Sequence, residues 1–149
     1  MGCYPYLFFG GNCREAFTRY HQILGGRLDL VTGADMPAED DVPAAMADVI
    51  MHAALVFDGG LLMASDDPTG PVGERSGFRV NVEMDSAAEA ERVFRELSDG
   101  GTVQMPMEAT SWSPAFGMCA DRFGVPWMVS AAAPDGAADG AGVSPATTA

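Results

Sequence analysis

The sequence predicts an α+β fold built from two copies of a β-α-β-β-β module. Segments 12–26 and 86–101 carry the same helix signals at matching offsets, which indicates a repeated helix. One extended stretch precedes each helix and three follow it, so the strands repeat as well. Because a repeat of this length cannot bury its own sheet, the two modules are expected to pair in a single domain, residues 1–131.

The first module, residues 3–66, opens with a strand in "YPYLFFG" and a helix in "NCREAFTRYHQILGG". Asn12 and Glu15 have the spacing of a capping box, in which each side chain bonds a backbone amide at the helix start. The two glycines that end the helix allow left-handed backbone. The apolar positions with helical spacing are 16, 17, 20, 23 and 24. Strands are expected at 27–33, 48–57 and 61–66, with "FDGG" as the turn between the last two.

The second module, residues 77–131, repeats this order. Its first strand is "GFRVNVEMD", and its helix has the capping pair Ser86 and Glu89 and ends in two glycines. The apolar helix positions are 90, 93, 94 and 97, and the later strands are expected at 102–110, 115–120 and 125–131. Residues 67–76, rich in proline and glycine, are predicted to link the modules, and residues 132–149 to form a disordered tail.

One segment, residues 34–47, interrupts the first module between its second and third strands. Its acidic side chains suggest calcium, but their spacing is not that of an EF-hand loop and two prolines stiffen the segment. A solvated loop or a lid over a pocket is the better interpretation.

Composition excludes several classes of function. The net charge is −13 and all eight basic residues are Arg, so the chain lacks the basic surface that binds nucleic acid or an anionic membrane. The apolar runs are too short to span a bilayer, and the first residues lack the basic region of a secretory signal. Three dispersed cysteines form neither a disulfide framework nor a zinc pattern, which predicts a cytoplasmic protein with reduced thiols. Cys13, near a helix start, could be a thiolate.

Three stretches together resemble a known superfamily: "PYLFFGGNCREAFTRYHQILGG", "MHAALVFDGGLLMASD" and "FGMCADRFGVPWMVS". They are similar to the vicinal oxygen chelate superfamily, which includes glyoxalase I, ring-cleaving dioxygenases and bleomycin-resistance proteins. Within it they resemble the phosphonate-operon-associated group labelled 3-demethylubiquinone methyltransferase-like. The resemblance covers residues 3–131 and implies a curved eight-stranded sheet around a cavity, with the helices outside.

The resemblance also implies where a metal would be held. Metal-bearing members take one ligand from the first and one from the last strand of each half, and these places fall near Pro5, Met63, Arg79 and Met128. Proline has no donor atom, arginine stays protonated, and thioether sulfur is a poor ligand for hard divalent ions. We therefore expect neither a metal nor another cofactor.

Polar candidates for a site lie on three predicted strands. His52 stands among apolar residues and is either a core histidine or a general base, and Asp66 is either a turn cap or the partner that fixes the His52 tautomer. Arg79, Asn81 and Glu83 are expected to face away from the helix. Arg79 could pair with Glu83 or could bind an anionic or carbonyl group of a ligand.

Apolar candidates are two tryptophans and the methionines. Trp112, Trp127, Met63 and Met128 could line a pocket for a flat organic molecule, since these side chains give large and adaptable surfaces. Because neighbours in a strand alternate faces, Met128 is expected to point away from the helix. The alternative is that these residues, with the other methionines predicted on strands, form ordinary core.

Three functions stay open. The first is a homodimeric protein that binds a small organic molecule without a metal. The second is a metal-independent lyase or isomerase that uses His52 with Asp66 as an acid–base pair, and the third is a structural or regulatory module. A methyltransferase is not favoured, because such enzymes usually bind their cofactor at a glycine-rich turn from strand to helix, whereas the glycine pairs here follow helices.

Overall fold

The structure is a computed structural model that describes residues 1–67, 69 and 72–133. It divides into two compact units, one from Met1 to Arg75 and the other from Ser76 onward. The elements of the first unit are β1 (Tyr6–Phe9), α1 (Cys13–Leu24), β2 (Arg27–Thr32), β3 (Ile50–Phe57) and β4 (Gly60–Asp66). Those of the second are β5 (Val80–Met84), α2 (Ala87–Ser98), β6 (Thr102–Glu108), β7 (Phe116–Ala120) and β8 (Pro126–Ala131).

The two predicted β-α-β-β-β modules are confirmed. Their eight strands form two four-stranded sheets, with the strand orders β1-β4-β3-β2 and β5-β8-β7-β6. In each sheet the first and last strands of the module are parallel neighbours, and the other pairs are antiparallel. The helix joins the first strand to the second and covers one face of the sheet.

Alternation along the strands builds the core of each module. In the first module α1 buries Phe17 against Phe9 of β1, with the ring centroids 6.1 Å apart and the rings nearly perpendicular. Tyr6 and Phe8, which alternate along β1 with the buried residues Leu7 and Phe9, are exposed on the other face. Each sheet therefore has a dry face under its helix and a face that its helix leaves open.

The second module is packed in the same way. Its core residues from the sheet are Val80, Val82, Cys119, Trp127 and Val129, and those from α2 are Ala90, Val93, Phe94 and Leu97. A side chain on Gly117 would reach within 2.8 Å of the Phe94 ring, so the glycine makes room for the helix. Phe78, expected against the helix, lies outside β5 and is exposed.

The start of α1 is capped by a distant side chain. Asn12 makes no cap hydrogen bond, so the capping box predicted for this helix is wrong. Asp66, at the end of β4, instead accepts bonds from the backbone N–H groups of Gly11 and Cys13, both at 3.0 Å. Its other oxygen accepts from the N–H of Ile50 at 3.0 Å. The buried carboxylate thus joins three separate parts of the first module.

The second helix follows the local prediction. The Ser86 hydroxyl accepts from the N–H of Glu89 at 3.2 Å, as the N-cap of α2. Gly25 and Gly100, just after the two helices, have φ of +75°, which is the left-handed backbone expected there.

A buried aspartate organises the turn between β7 and β8. One oxygen of Asp121 accepts from the N–H groups of Phe123 and Val125, at 2.8 and 2.9 Å. The other accepts from the indole N–H of Trp127 at 2.8 Å. The turn therefore fixes the first residues of β8, including which face each of them takes.

The insertion in the first module folds as three single-turn 3-10 helices, Gly33–Asp35, Ala38–Asp40 and Ala44–Met46. Two backbone hydrogen bonds join the beginning of the insertion to its end. The N–H of Gly33 donates to the carbonyl of Val49 and that of Ala34 to the carbonyl of Ala47, both at 3.0 Å. The Asp35 carboxylate accepts from the N–H and the hydroxyl of Thr32, which lowers its pKa. One oxygen of Asp35 thus fixes the first turn of the insertion.

Two sequence expectations reach beyond the described part of the chain. Residues 68, 70 and 71 of the predicted linker and 134–149 of the predicted tail lie outside it. Ala132, assigned to the tail, still bonds the carbonyl of Met84 at 2.8 Å. Among the described residues, the helices fall short of the length and apolar character needed to cross a membrane.

Asp66→Ala is expected to lower the free energy of unfolding by about 3 kcal/mol, because three backbone N–H groups lose a charged acceptor. Urea denaturation followed by circular dichroism measures the change. Asp40→Ala, which removes an exposed carboxylate from the insertion, is the matched control and should change stability by less than about 0.5 kcal/mol. Equal effects of the two substitutions would contradict the structural role of Asp66.

Candidate functional site

Candidate site residues concentrate on the faces opposite the helices. We call these the first and second open faces, after the sheets to which they belong. The strand register places on the first open face Tyr6, Phe8, His52, Ala54, Val56 and Met63. It places on the second open face Asn81, Glu83, Met105, Phe116, Met118 and Met128.

His52 lies on the first open face beside an aromatic residue that the sequence did not single out. Its Nδ1 is 3.3 Å from the hydroxyl of Tyr6, and the two ring centroids are 5.8 Å apart. Tyr6 also contacts Phe8, at 5.3 Å between centroids. Tyr6 could have been found from the alternation of β1, where it is the first residue on the uncovered face.

Asp66 and His52 are not brought together. Asp66 is opposite Phe9 in the register, on the face that α1 covers, whereas His52 has the parity of Ala54 and Met63 on the other face. Both carboxylate oxygens already accept backbone bonds. Asp66 is thus a cap, and the hypothesis that it fixes the tautomer of His52 does not agree with its position.

Arg79 reaches across the whole second sheet from its place just before β5. Its Nη1 is 2.6 Å from the side-chain oxygen of Gln104 on β6. On the way it lies 3.4 Å from the carbonyl of Trp127 and 3.5 Å from that of Cys119. The guanidinium is half-buried, and neutral acceptors hold it.

The ion pair considered between Arg79 and Glu83 is not formed among the described residues, since every protein partner of Arg79 there is a neutral oxygen. Asn81 and Glu83 are exposed on β5, on the face where alternation placed them. The contact of Arg79 with a ligand group stays a prediction.

The methionines on strands do not form ordinary core. Seven methionines lie on strands, and each of them is at least partly exposed. Four of them lie on the open faces: Met63, Met105, Met118 and Met128. Soft, polarizable side chains therefore cover much of the surface that the helices leave open.

The two tryptophans occupy different environments. Trp127 is fully buried on the helix side of β8 and bonds Asp121, so its indole lies off the open face, contrary to its inclusion among the ligand-contacting residues. Met128, its neighbour, has the opposite parity, as expected. Trp112 is 65% exposed in the loop before β7, with its ring edge-on to Phe116 at 5.7 Å.

The residues at the four places of the superfamily's metal ligands do not fit a metal. The carbonyl of Pro5 accepts from the N–H of Met63, and the Arg79 guanidinium occupies the third place with a positive charge. Met63 and Met128 offer only thioether sulfur. Over residues 1–67, 69 and 72–133, no three side chains of His, Cys, Asp or Glu come together as a metal site would need.

Comparison with known sequences gives matches over most of the chain. The sequence model of the family described as 3-demethylubiquinone-9 3-methyltransferase matches residues 2–130. Protein YjdN of Escherichia coli K12 is 32% identical over 135 residues, which cover 85% of this chain and 92% of YjdN.

Comparison with solved structures agrees with these matches. The crystal structure of protein PA1353 from Pseudomonas aeruginosa has a TM-score of 0.80 and 48% identity, covering 89% of this chain and 98% of PA1353. A glyoxalase/bleomycin resistance protein/dioxygenase from Nocardioides has a TM-score of 0.52 at 19% identity, covering 95% and 91% of the two chains. At that identity the likeness concerns the fold alone.

The two buried thiols, Cys13 and Cys119, are not poised for chemistry. Burial and, after it, the negative charge of Asp66 raise the pKa of Cys13 to about 12. Burial and Asp121 raise the pKa of Cys119 to about 11. The thiolate considered for Cys13 is therefore disfavoured, because the thiol is buried and the helix start already holds the Asp66 carboxylate.

In native protein at pH 8, Cys3 is expected to react rapidly with iodoacetamide, while Cys13 and Cys119 stay unmodified because they are buried and neutral. Peptide mass spectrometry after timed alkylation measures the three sites separately. Denaturation in urea, as the control, should make all three react. Fast alkylation of Cys13 in the native protein would restore it as a candidate nucleophile.

Proposed function

The chain belongs to the family described as 3-demethylubiquinone-9 3-methyltransferase, and on that premise we propose that it binds a small organic molecule without a metal. The observation that carries the proposal is the exposure of methionine and aromatic side chains on the open faces. Met118, Met128 and Phe116 lie side by side on the second open face, where the register pairs Met118 with Met128. Such a surface suits a flat apolar molecule, because thioether and aromatic groups adapt to its shape.

Methyl transfer, which the family description names, is not part of the proposal. A glycine pair, Gly10 and Gly11, does precede α1, and the sequence argument that such pairs only follow helices overlooked it. The Asp66 carboxylate, however, already accepts hydrogen bonds from the backbone amides at this turn. An anionic group of a cofactor would meet that charge, so the turn offers it no site.

A second candidate function rests on the contact between Tyr6 and His52. When His52 donates its Nδ1 proton to the Tyr6 oxygen, the lone pair of Nε2 is free to take a proton from a bound molecule. This would support a lyase or an isomerase, with Tyr6 in the role that the sequence assigned to Asp66.

The acid–base candidate can be tested with 2-tetralone, a flat ketone with acidic C–H groups. The protein in D2O is expected to increase deuterium incorporation into 2-tetralone, followed by NMR, and His52→Gln is expected to abolish the increase. Tyr6→Phe should reduce it less, because the histidine base stays in place. Equal exchange with the unaltered protein and with His52→Gln would leave binding as the only proposed activity.

The binding proposal is tested with 2-naphthamide, a neutral flat probe. Met128→Glu is expected to weaken its binding by about tenfold or more, because a carboxylate would lose water on contact with the probe. Met128→Leu, the matched control, should stay within about twofold, since the residue stays apolar and of similar size. Isothermal titration measures both affinities. No binding to the unaltered protein at millimolar probe, or no loss in Met128→Glu, would contradict the proposal.

We also propose that the working form is a homodimer. Large apolar side chains are exposed on the described part of the chain, among them Phe8 at 50% and Phe78 at 47%. Exposed apolar side chains of this size often mark an interface, and a twofold dimer is the commonest closed assembly.

Light scattering at micromolar concentration is expected to give about twice the chain mass of 15.6 kDa. Replacement of exposed Phe8 by Ser should shift the mass toward the monomer if the first open face takes part. Glu15→Gln, at an exposed position of α1 on the other side of the sheet, is the control. A mass of one chain at all concentrations would contradict the dimer.

A further inference from the structure

We infer that the second open face recognises a ligand with an anionic group, a carboxylate or a similar oxyanion, through Arg79. The inference rests on the proposed binding function and adds to it the charge of the ligand and the place where that charge is held. All the residues involved belong to the second unit.

The bonds of the guanidinium are the first argument. Arg79 uses a single nitrogen, Nη1, for its contacts with Gln104 and with the two strand carbonyls. Among the described residues, its Nε and Nη2 have no acceptor. An arginine has five N–H donors in a planar fork, and the free edge of this fork matches the two oxygens of a carboxylate.

The uncompensated charge is the second argument. A half-buried guanidinium has lost part of its water, and among the described residues no carboxylate pairs with it. Asp121 is near in sequence to Cys119 but is committed to Phe123, Val125 and Trp127. A bound anion would therefore find a positive charge that the protein has fixed in position but not neutralised.

The side chains around Arg79 indicate what kind of group the rest of the ligand would be. Arg79 has the parity of Asn81, which pairs with Met128 in the register. Met128 is on the neighbouring strand, two residues further along, which puts its Cα roughly 8 Å from that of Arg79. An anionic group at the guanidinium would place an attached ring on the thioethers of Met128 and Met118.

Glu83 limits the direction in which such a ligand can extend. It lies on the same face of β5, four residues beyond Arg79, which is about 13 Å along a strand. A second anionic group at that end would be repelled. The arrangement therefore suits a ligand with one anionic end and an apolar body, and selects against one that is anionic at both ends.

Two probes of nearly equal shape separate charge from apolar contact: 2-naphthoate, which is anionic, and 2-naphthamide, which is neutral. The protein is expected to bind 2-naphthoate more tightly by roughly ten- to a hundredfold. Arg79→Gln should abolish this preference, because it weakens the binding of 2-naphthoate far more than that of 2-naphthamide. Arg27→Gln, which removes an arginine from an exposed pair in the first sheet, should keep the preference.

A measurement on the unaltered chain covers the case in which Arg79→Gln does not fold. The side-chain Nε–H resonance of Arg79 is expected to shift further on saturation with 2-naphthoate than on saturation with 2-naphthamide. Equal affinities for the two probes, or a preference that survives in Arg79→Gln, would overturn the anion site while leaving the binding function intact. If neither probe binds, the proposed function fails, and the anion site with it.

Discussion

One helix per four-stranded sheet is the constraint on which the rest of the molecule depends. A single helix can cover only one face, so the alternation of each strand decides which residues form core and which stay on the other side. Phe9 and Trp127 are core for this reason, while Phe8 and Met128, one position away, are on the open faces. The candidate site consists of the strand residues whose side chains lie on the face that the helix does not cover.

Two buried carboxylates hold separate parts of this fold together. Asp66 joins the start of α1 to β3, and Asp121 joins its turn to the indole of Trp127. Each of these carboxylates is buried and accepts hydrogen bonds from N–H groups. These bonds offset the free energy lost when the carboxylate leaves water. Arg79 differs from them, because among the described residues its hydrogen bonds all come from Nη1 and all go to neutral oxygens.

The sequence was sufficient to predict the order of the elements, because both modules carry the same local signals: helix periodicity, glycine pairs after the helices, and alternating strands. It failed where a distant residue replaced a local one. Asn12 has the chemistry of an N-cap, but Asp66, which follows it by more than fifty residues, fills that place. The position of Trp127 was missed for a different reason, since alternation allowed only one of Trp127 and Met128 on the open face and burial chose the larger indole. Tyr6 was missed because its role depends on a contact with another strand.

Two arginines near the junction of the modules, Arg75 and Arg79, affect how trypsin can cleave the chain. The chain has no lysine, and between Arg27 and Arg92 its arginines are Arg75 and Arg79. Arg75 bonds the carbonyl of Phe8 and lies over the Phe9 ring, 4.9 Å from its centroid, while Arg79 is held across the second sheet. Trypsin must take an arginine side chain into its specificity pocket before it cleaves. Tryptic separation of the two modules would therefore first require that one of these side chains leave its place in the fold.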